Sequence, residues 1–299
     1  MVRGNGNLKN NTMTDRTFDI LNAILMLLLI VVTIYPFYHV VMASLSDSNR
    51  LIAHQGMLLG PLGFSWEAYS RVLDNPNIFS GYRNTLLILF SGTLFNLFFT
   101  ALGAYGLSRK FMLRKPIMIA IIFTMYFSGG LIPTYLLINN WLHMGNSLLA
   151  LIVPVAISTW NLIIMRTSFE AIPESLIESA KIDGSGEFGI LFKIVVPLSM
   201  PIIAVMILYY GVAHWNSWFN AMLFIRDREL FPLQIILREI LVINDTSSMQ
   251  LGDAMADQEG IRESIKYATI MVATLPILLV YPFLQKFFAK GVMIGAVKE

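Results

Sequence analysis

The sequence predicts an all-α protein, a polytopic membrane bundle of six transmembrane helices. Three observations carry that prediction. Hydrophobic residues make up 56% of the chain and charged residues only 13%, about half the roughly 25% charged content usual in soluble domains. The apolar residues fall in six runs, Ile20–Met42, Thr85–Leu107, Ile117–Ile138, Leu148–Met165, Leu198–Ile225 and Tyr267–Phe287. Each is near the roughly 20 residues that cross a bilayer. The apolar cores of these runs hold no Asp, Glu, Lys or Arg; charge gathers between them.

Taken in order, residues 1–19 form a polar amino-terminal segment carrying Asn5, Asn7, Asn10 and Asn11. The first run is too long for a signal-peptide core and no small-residue cleavage site follows it, so it is expected to be a retained span. Between the second and third runs, Arg109, Lys110, Arg114 and Lys115 crowd a short connector. Such clusters stay in the cytoplasm. That places both termini inside, in agreement with Lys286, Lys290 and Lys298, and turns the segments Ala43–Asn84 and Arg226–Lys266 outward. The latter carries Asp227, Glu229, Asp245, Asp253, Asp257 and Glu259, a solvated acidic face, and Asn244–Gly260 is expected to be flexible. Pro36, Pro133, Pro154 and Pro276 lie in or near the runs, where neighbouring helices re-satisfy the backbone groups that proline frees. Residues 20–289 form the membrane domain and 290–299 a cytoplasmic tail.

Several function classes fall away. A net charge of +2 offers nothing to nucleic acid, and a chain without cysteine builds no disulfide framework or thiolate site. His39, His54, His143 and His214 are too scattered for metal-ligand spacing and no Ser/His/Asp arrangement accompanies them. No Walker A sequence is present, so the chain should not hydrolyse ATP. Gly184–Gly189 formally matches GxGxxG, but a helix rather than a strand precedes it, and no cofactor is expected to bind. Proton- or ion-coupled carriers use ionisable residues inside their spans as relays; here His39 and His214 are the only candidates for such a role, which points to an energy source outside the membrane domain. Some carriers coordinate ions through backbone carbonyls, so a self-sufficient carrier or channel for a small neutral solute stands as the alternative.

The connector Arg166–Pro197 is too charged to span. Pro173 suits the start of a helix and Glu174 complements its positive end. Leu176, Ile177 and Ala180 fall on one face, with Glu174, Glu178 and Lys181 on another. Asp183-Gly184 ends this helix, since glycine takes the left-handed cap without steric cost. Ser185 is expected to cap a second helix with Phe188, Leu191, Phe192 and Val195 as its apolar stripe, stopped by Pro197. Physics alone leaves two readings, a loop packed on its own bundle or an element that docks a partner.

Spacing adds a resemblance. Glu178-Ser179-Ala180, three residues, Gly184, nine residues, Ile194, one residue, Val196-Pro197 resembles the EAA loop of binding-protein-dependent ABC importer permeases. In that family the pattern is Glu-Ala-Ala, three residues, Gly, nine residues, Ile, one residue, Leu-Pro, so this chain departs at Ser179 and Val196. The stretches Ser128–Asn139 and Trp215–Ile225 and the ending KGVMIGAVKE look like carbohydrate permeases of the maltose-permease type, closest to those for oligosaccharides and polysaccharide fragments. The resemblance implies a type I ABC importer permease fold in the bacterial cytoplasmic (inner) membrane. It implies as partners a second permease subunit, two cytoplasmic ATPase subunits that use ATP and Mg, and an extracytoplasmic sugar-binding protein. It makes Leu176–Asp183 the coupling helix, with Leu176, Ile177, Glu178, Ser179, Ala180, Asp183, Gly184, Ile194 and Pro197 as coupling residues.

A substrate path is expected on the fifth run, where Tyr210, His214, Ser217 and Asn220 share a face at helical spacing, with Trp215, Asn216 and Trp218 interleaved. Aromatic rings and amides suit carbohydrate. Trp160 and Asn161 on the fourth run are similar. The other reading assigns Trp218 to the interfacial aromatic belt and Trp160 and Asn161 to helix–helix contacts.

Overall fold

In a bilayer only a helix satisfies every backbone N–H and C=O within its own segment, so apolar runs become helices. The structure, a computed structural model, describes residues 13–248 and 256–296, and the side chains of residues 16–242, 261–280 and 282. The first long helix, α1 (Met13–Ser44), leads through α2 (Ser48–Ala53) and α3 (Glu67–Leu73) to α4 (Pro76–Ser108). α5 (Arg114–Tyr126) then bends by 108° into α6 (Leu131–Leu136), which a π turn extends to Trp141. α7 (Leu149–Ile152), with a 3-10 turn Val153–Val155, meets α8 (Thr159–Glu170) at 51°. After α9 (Glu174–Ile182) come α10 (Glu187–Ile190), a π turn Leu191–Val195 and α11 (Val196–Leu198), which meet α12 (Met200–Trp215) at 87°. α13 (Phe219–Phe224) and α14 (Leu233–Ser248) precede the last long helix, α15 (Ala256–Ala296).

Among the described residues three single helices, residues 16–44, 76–108 and 261–280, are long and apolar enough to cross a membrane, and three bent pairs bring the number to six if each pair is one span. Each bend sits at residues that cannot continue a helix. Gly130 takes φ +90° between α5 and α6, a conformation closed to most side chains. Pro154 ends α7, and the Ser158 hydroxyl caps α8 by accepting from Asn161 N at 3.5 Å. Ser199 lies between Pro197 and Pro201. In the segment Asn244–Gly260, residues 244–248 and 256–260 are helical, while 249–255, including Asp253, lie outside the described residues, as do 1–12 and 297–299.

The chain divides into two compact units. The first takes in α1, α2, the start of α3 and the first part of α15. Ala43, Leu51 and Leu58 form its buried centre, with Met42, Leu62 and Tyr267 packed against them. Asp47 caps α2 by accepting from Arg50 N, and the Tyr35 hydroxyl accepts from Leu58 N at 3.1 Å. His39 lies between the rings of Tyr35 and Tyr267, with centroids 6.0 and 5.8 Å away. The apolar window of α1 has no residue buried within this chain.

The second unit is built on α4. Its buried face carries Gly81, Asn84, Thr85, Ile88, Gly92, Thr93, Asn96, Thr100, Ala101 and Ala104, all but Ile88 small or polar and mostly three or four apart. Lipid gives helices no hydrophobic reason to associate, so close backbone approach and hydrogen bonds do the work. A Cβ on Gly81 would sit 3.1 Å from Leu233 Cα, and one on Gly92 would sit 2.6 Å from His214 Nε2. At the amino-terminal end of α4, the Asn84 amide donates to Glu229 O and Phe231 O, and Thr85 Oγ1 accepts from Leu233 N. That end packs α14; the opposite end packs the connector, about 35 Å away at 1.5 Å per residue.

Candidate functional site

The connector folds as the helix–turn–helix its punctuation predicts. α9 carries Glu174 in its first turn and Lys181 in its last, both favourable to the helix dipole. Past it, Gly184 takes φ +80°. Gly184 N donates to Lys181 O at 3.0 Å and Ser185 N to Ala180 O at 2.9 Å, the paired bonds of a Schellman motif. A Cβ on Gly184 would meet nothing within 4 Å, so conformation, not crowding, requires glycine there.

Two expectations need correction. Ser185 does not cap the second helix: its N–H closes the turn, and Gly186, extended at φ −72° and ψ 164°, precedes α10 without a side-chain cap. Pro197 does not stop that helix. The π turn just before it accommodates the ring, and the chain continues to Leu198 before bending at Ser199.

Burial divides α9 between the two readings. Ile177 and Ala180 are buried with Tyr105, Leu107, Met165 and Phe169, and seating Ile177 contributes about 1.5–3 kcal/mol. Leu176, expected on that face, is 45% exposed. Glu178, Ser179, Asp183 and Gly184 are exposed as well, as is Pro197, while Ile194 is half-buried. Ile182, which the sequence reading passed over, is 86% exposed, and Phe188 in α10 is 69% exposed. An isoleucine on the polar side of an amphipathic helix was the available signal. One face of the hairpin is seated, and the other presents apolar side chains left exposed among the described residues.

Charge anchors the seat. Lys110 Nζ lies 2.6 Å from Glu174 Oε2, and this hydrogen bond and charge hold the Glu174 carboxyl below its ordinary range. Lys181 Nζ lies 2.7 Å from Glu187 Oε1, and the Tyr105 hydroxyl donates to Glu187 Oε2. Glu170 pairs with both Arg114 and Arg166, and Arg166 Nε donates to Leu107 O. The basic connector read for topology thus also ties down the hairpin. A cleft of 620 Å³ remains between α9, α10 and α4, lined by Tyr105, Arg109, Lys181 and Glu187 among others.

The residues expected to line a substrate path do not share one helix face. Tyr210 and His214 are on α12, Ser217 lies in the break after it and Asn220 on α13. Tyr210 is 4% and His214 6% exposed, both against α4. Asn96 donates to Val155 O at 2.6 Å and Ala156 O at 2.9 Å, carbonyls the break in the fourth span leaves without helical partners. With its amide nitrogen so used, Asn96 presents its oxygen 2.6 Å from His214 Nε2, which therefore donates. The Tyr210 hydroxyl accepts from Ser158 N at 3.1 Å and shares a 2.7 Å hydrogen bond with Thr100. These groups fasten the break to α4. Asn161 is buried beside them, Trp160 is 59% exposed, and Arg238 covers one face of the Trp218 ring at 4.1 Å. The sequence reading missed Asn96 and Thr100; their spacing of four in an apolar run was the signal.

Comparison with known proteins bears on this arrangement. Residues 101–294 match the family described as binding-protein-dependent transport system inner membrane component. The chain is 40% identical over 287 residues to the polygalacturonan/rhamnogalacturonan transport system permease protein YtcP of Bacillus subtilis, covering 96% of this chain and 100% of the relative. It is 40% identical to protein LplC of the same organism, covering 97% of each. A chain from the crystal structure of a bacterial ABC transporter involved in import of the acidic polysaccharide alginate superposes with a TM-score of 0.84 at 30% identity, over 93% of this chain and 98% of that one.

Proposed function

Because the chain belongs to the family of binding-protein-dependent transport system inner membrane components, we propose that it forms half of the pathway of an importer for oligosaccharides or polysaccharide fragments, coupled to a cytoplasmic ATPase through residues 166–197. It is a permease subunit of the ABC type, a transport component of the inner membrane. The substrate class is supported by what the relatives carry: polygalacturonan and rhamnogalacturonan for one, alginate for another. The observation that carries the coupling assignment is the divided burial of the hairpin, with Ile177 seated and Ile182 and Phe188 bare.

In this reading the hairpin faces the cytoplasm with both termini, and its bare side sits on one of two ATPase subunits that bind ATP and Mg. A second permease subunit completes the pathway, and an extracytoplasmic binding protein delivers the sugar. A rigid hairpin, capped at Gly184 and pinned by Lys110–Glu174, transmits closure of the ATPases to the spans as a rigid-body transition. ATP drives it only by binding one state of the assembly more tightly than the other.

The test is reconstitution. In liposomes the chain alone should neither hydrolyse ATP nor accumulate saccharide under a proton or sodium gradient, and adding the partner subunits should bring ATP-dependent uptake. Gradient-driven uptake by the isolated chain would instead establish a self-sufficient carrier.

A further inference from the structure

A second polar site lies at the other end of the bundle, on the loop between α6 and α7 where it meets the segment after α13. Asn139, Asn140, His143, Gly145, Asn146 and Arg226 enclose a cavity of 420 Å³, within the range of about 300–1,000 Å³ typical of small-molecule sites. All its lining is polar except one glycine, and a Cβ on Gly145 would fall 2.0 Å from Asn139 Oδ1 and displace that amide.

The loop is held in an unfavourable conformation. His143 at φ 50° and Asn146 at φ 57° both occupy the left-handed region, a cost that persists only where surrounding contacts impose it. Those contacts are present. Asn146 N donates to Phe224 O at 2.8 Å, its side-chain oxygen accepts from Arg226 N and Asp227 N, and its amide donates to Asp227 Oδ2 at 2.7 Å. Asp227 is therefore engaged by Asn146. The Arg226 backbone is fixed while its guanidinium makes only a long 3.5 Å contact with the Tyr135 hydroxyl. Among the described residues no carboxylate lies within 4.0 Å of it.

We infer that this cavity binds the carboxylate of an acidic saccharide unit, a uronate, with Arg226 as the charged contact and the Asn140 amide hydrogen-bonding ring hydroxyls. Arginine's planar fork fits a carboxylate with two parallel hydrogen bonds. The inference rests on the importer reading and narrows its substrate class to acidic fragments. A concave, amide-lined cavity favours a saccharide over a protein side chain as the source of that carboxylate.

The experiment uses the complete permease–ATPase assembly in nanodiscs without the binding protein, with trigalacturonate and its methyl ester as probes for saturation-transfer NMR. Arg226→Gln should weaken trigalacturonate binding about tenfold, the loss expected for one charge-assisted contact, and leave the ester unchanged. Arg226→Lys should recover part of the loss, and Asn140→Ala should weaken both probes. Equal binding by wild type and Arg226→Gln, equal losses for acid and ester, or no binding of trigalacturonate to wild type would each overturn the site. In a separate pull-down with the binding protein added, a defect of Arg226→Gln confined to its capture, with trigalacturonate binding unchanged, would also overturn the site and assign Arg226 to protein docking. ATP-driven uptake is measured in parallel, so the importer reading stands or falls by a separate readout.

Discussion

Gly184 concentrates the coupling argument in one residue. Its positive φ lets Ser185 N reach back to Ala180 O and turns the chain toward α10. A β-branched residue there is a steric outlier, and the strain should cost about 1–3 kcal/mol. Because a Cβ at Gly184 meets nothing within 4 Å, the cost falls on the turn and not on packing. Gly184→Val should reach the membrane in normal amount, yet lose transport and bind its ATPase less well, or let it hydrolyse ATP without uptake. Membrane abundance, co-purified ATPase and uptake together check this, and wild-type transport with the partner fully bound would reduce the hairpin to a cover for the bundle. This turn was legible in the sequence because a helix stop is local: Asp183-Gly184 specifies it without tertiary information. The next residue was not legible in the same way. Ser185 is a good cap by type, but its N–H was already committed to the Schellman motif, so the helix starts after Gly186.

Helix α4 shows what element-scale packing adds. Its core, Thr85–Leu107, was readable from hydropathy, but the helix starts nine residues earlier, at Pro76, in the more polar stretch before that run. The bends in the neighbouring spans were not, because a hydropathy window averages across a break. Nor does periodicity say which helix a face will meet: Tyr210 and His214 align as foreseen on α12, and the residues they meet are Thr100 and Asn96 of α4. Gly92 permits that approach. Gly92→Ala should push the His214 ring away and strain the Asn96 bonds to Val155 and Ala156, an overpacking cost of about 1–3 kcal/mol. Thermal unfolding in detergent should shift down for Gly92→Ala and not for Gly106→Ala, in the same helix but with nothing within 4 Å of the added methyl.

For the whole molecule, the same chain carries a seated hairpin at one end of α4 and a polar cavity at the other, and the break between α7 and α8 is fastened to α4 by Asn96, Thr100, Tyr210 and His214. Charged residues absent from the span cores and clustered at the hairpin fit a permease whose energy is delivered at one face. The apolar runs and the place of the hairpin were read from the sequence, because composition and spacing report them directly. The partners were implied only by resemblance, since a bare face such as that of Ile182 does not identify what covers it. The most direct test exploits the absence of cysteine from the natural chain. A single cysteine at position 182, Ile182→Cys, is introduced into the assembled transporter. In whole cells it should resist a membrane-impermeant thiol reagent, and in inside-out vesicles a short bifunctional reagent should link it to the ATPase subunit, identified by mass spectrometry. Labelling from outside the cell, or normal ATP-driven uptake with no crosslink to the ATPase, would contradict the coupling account.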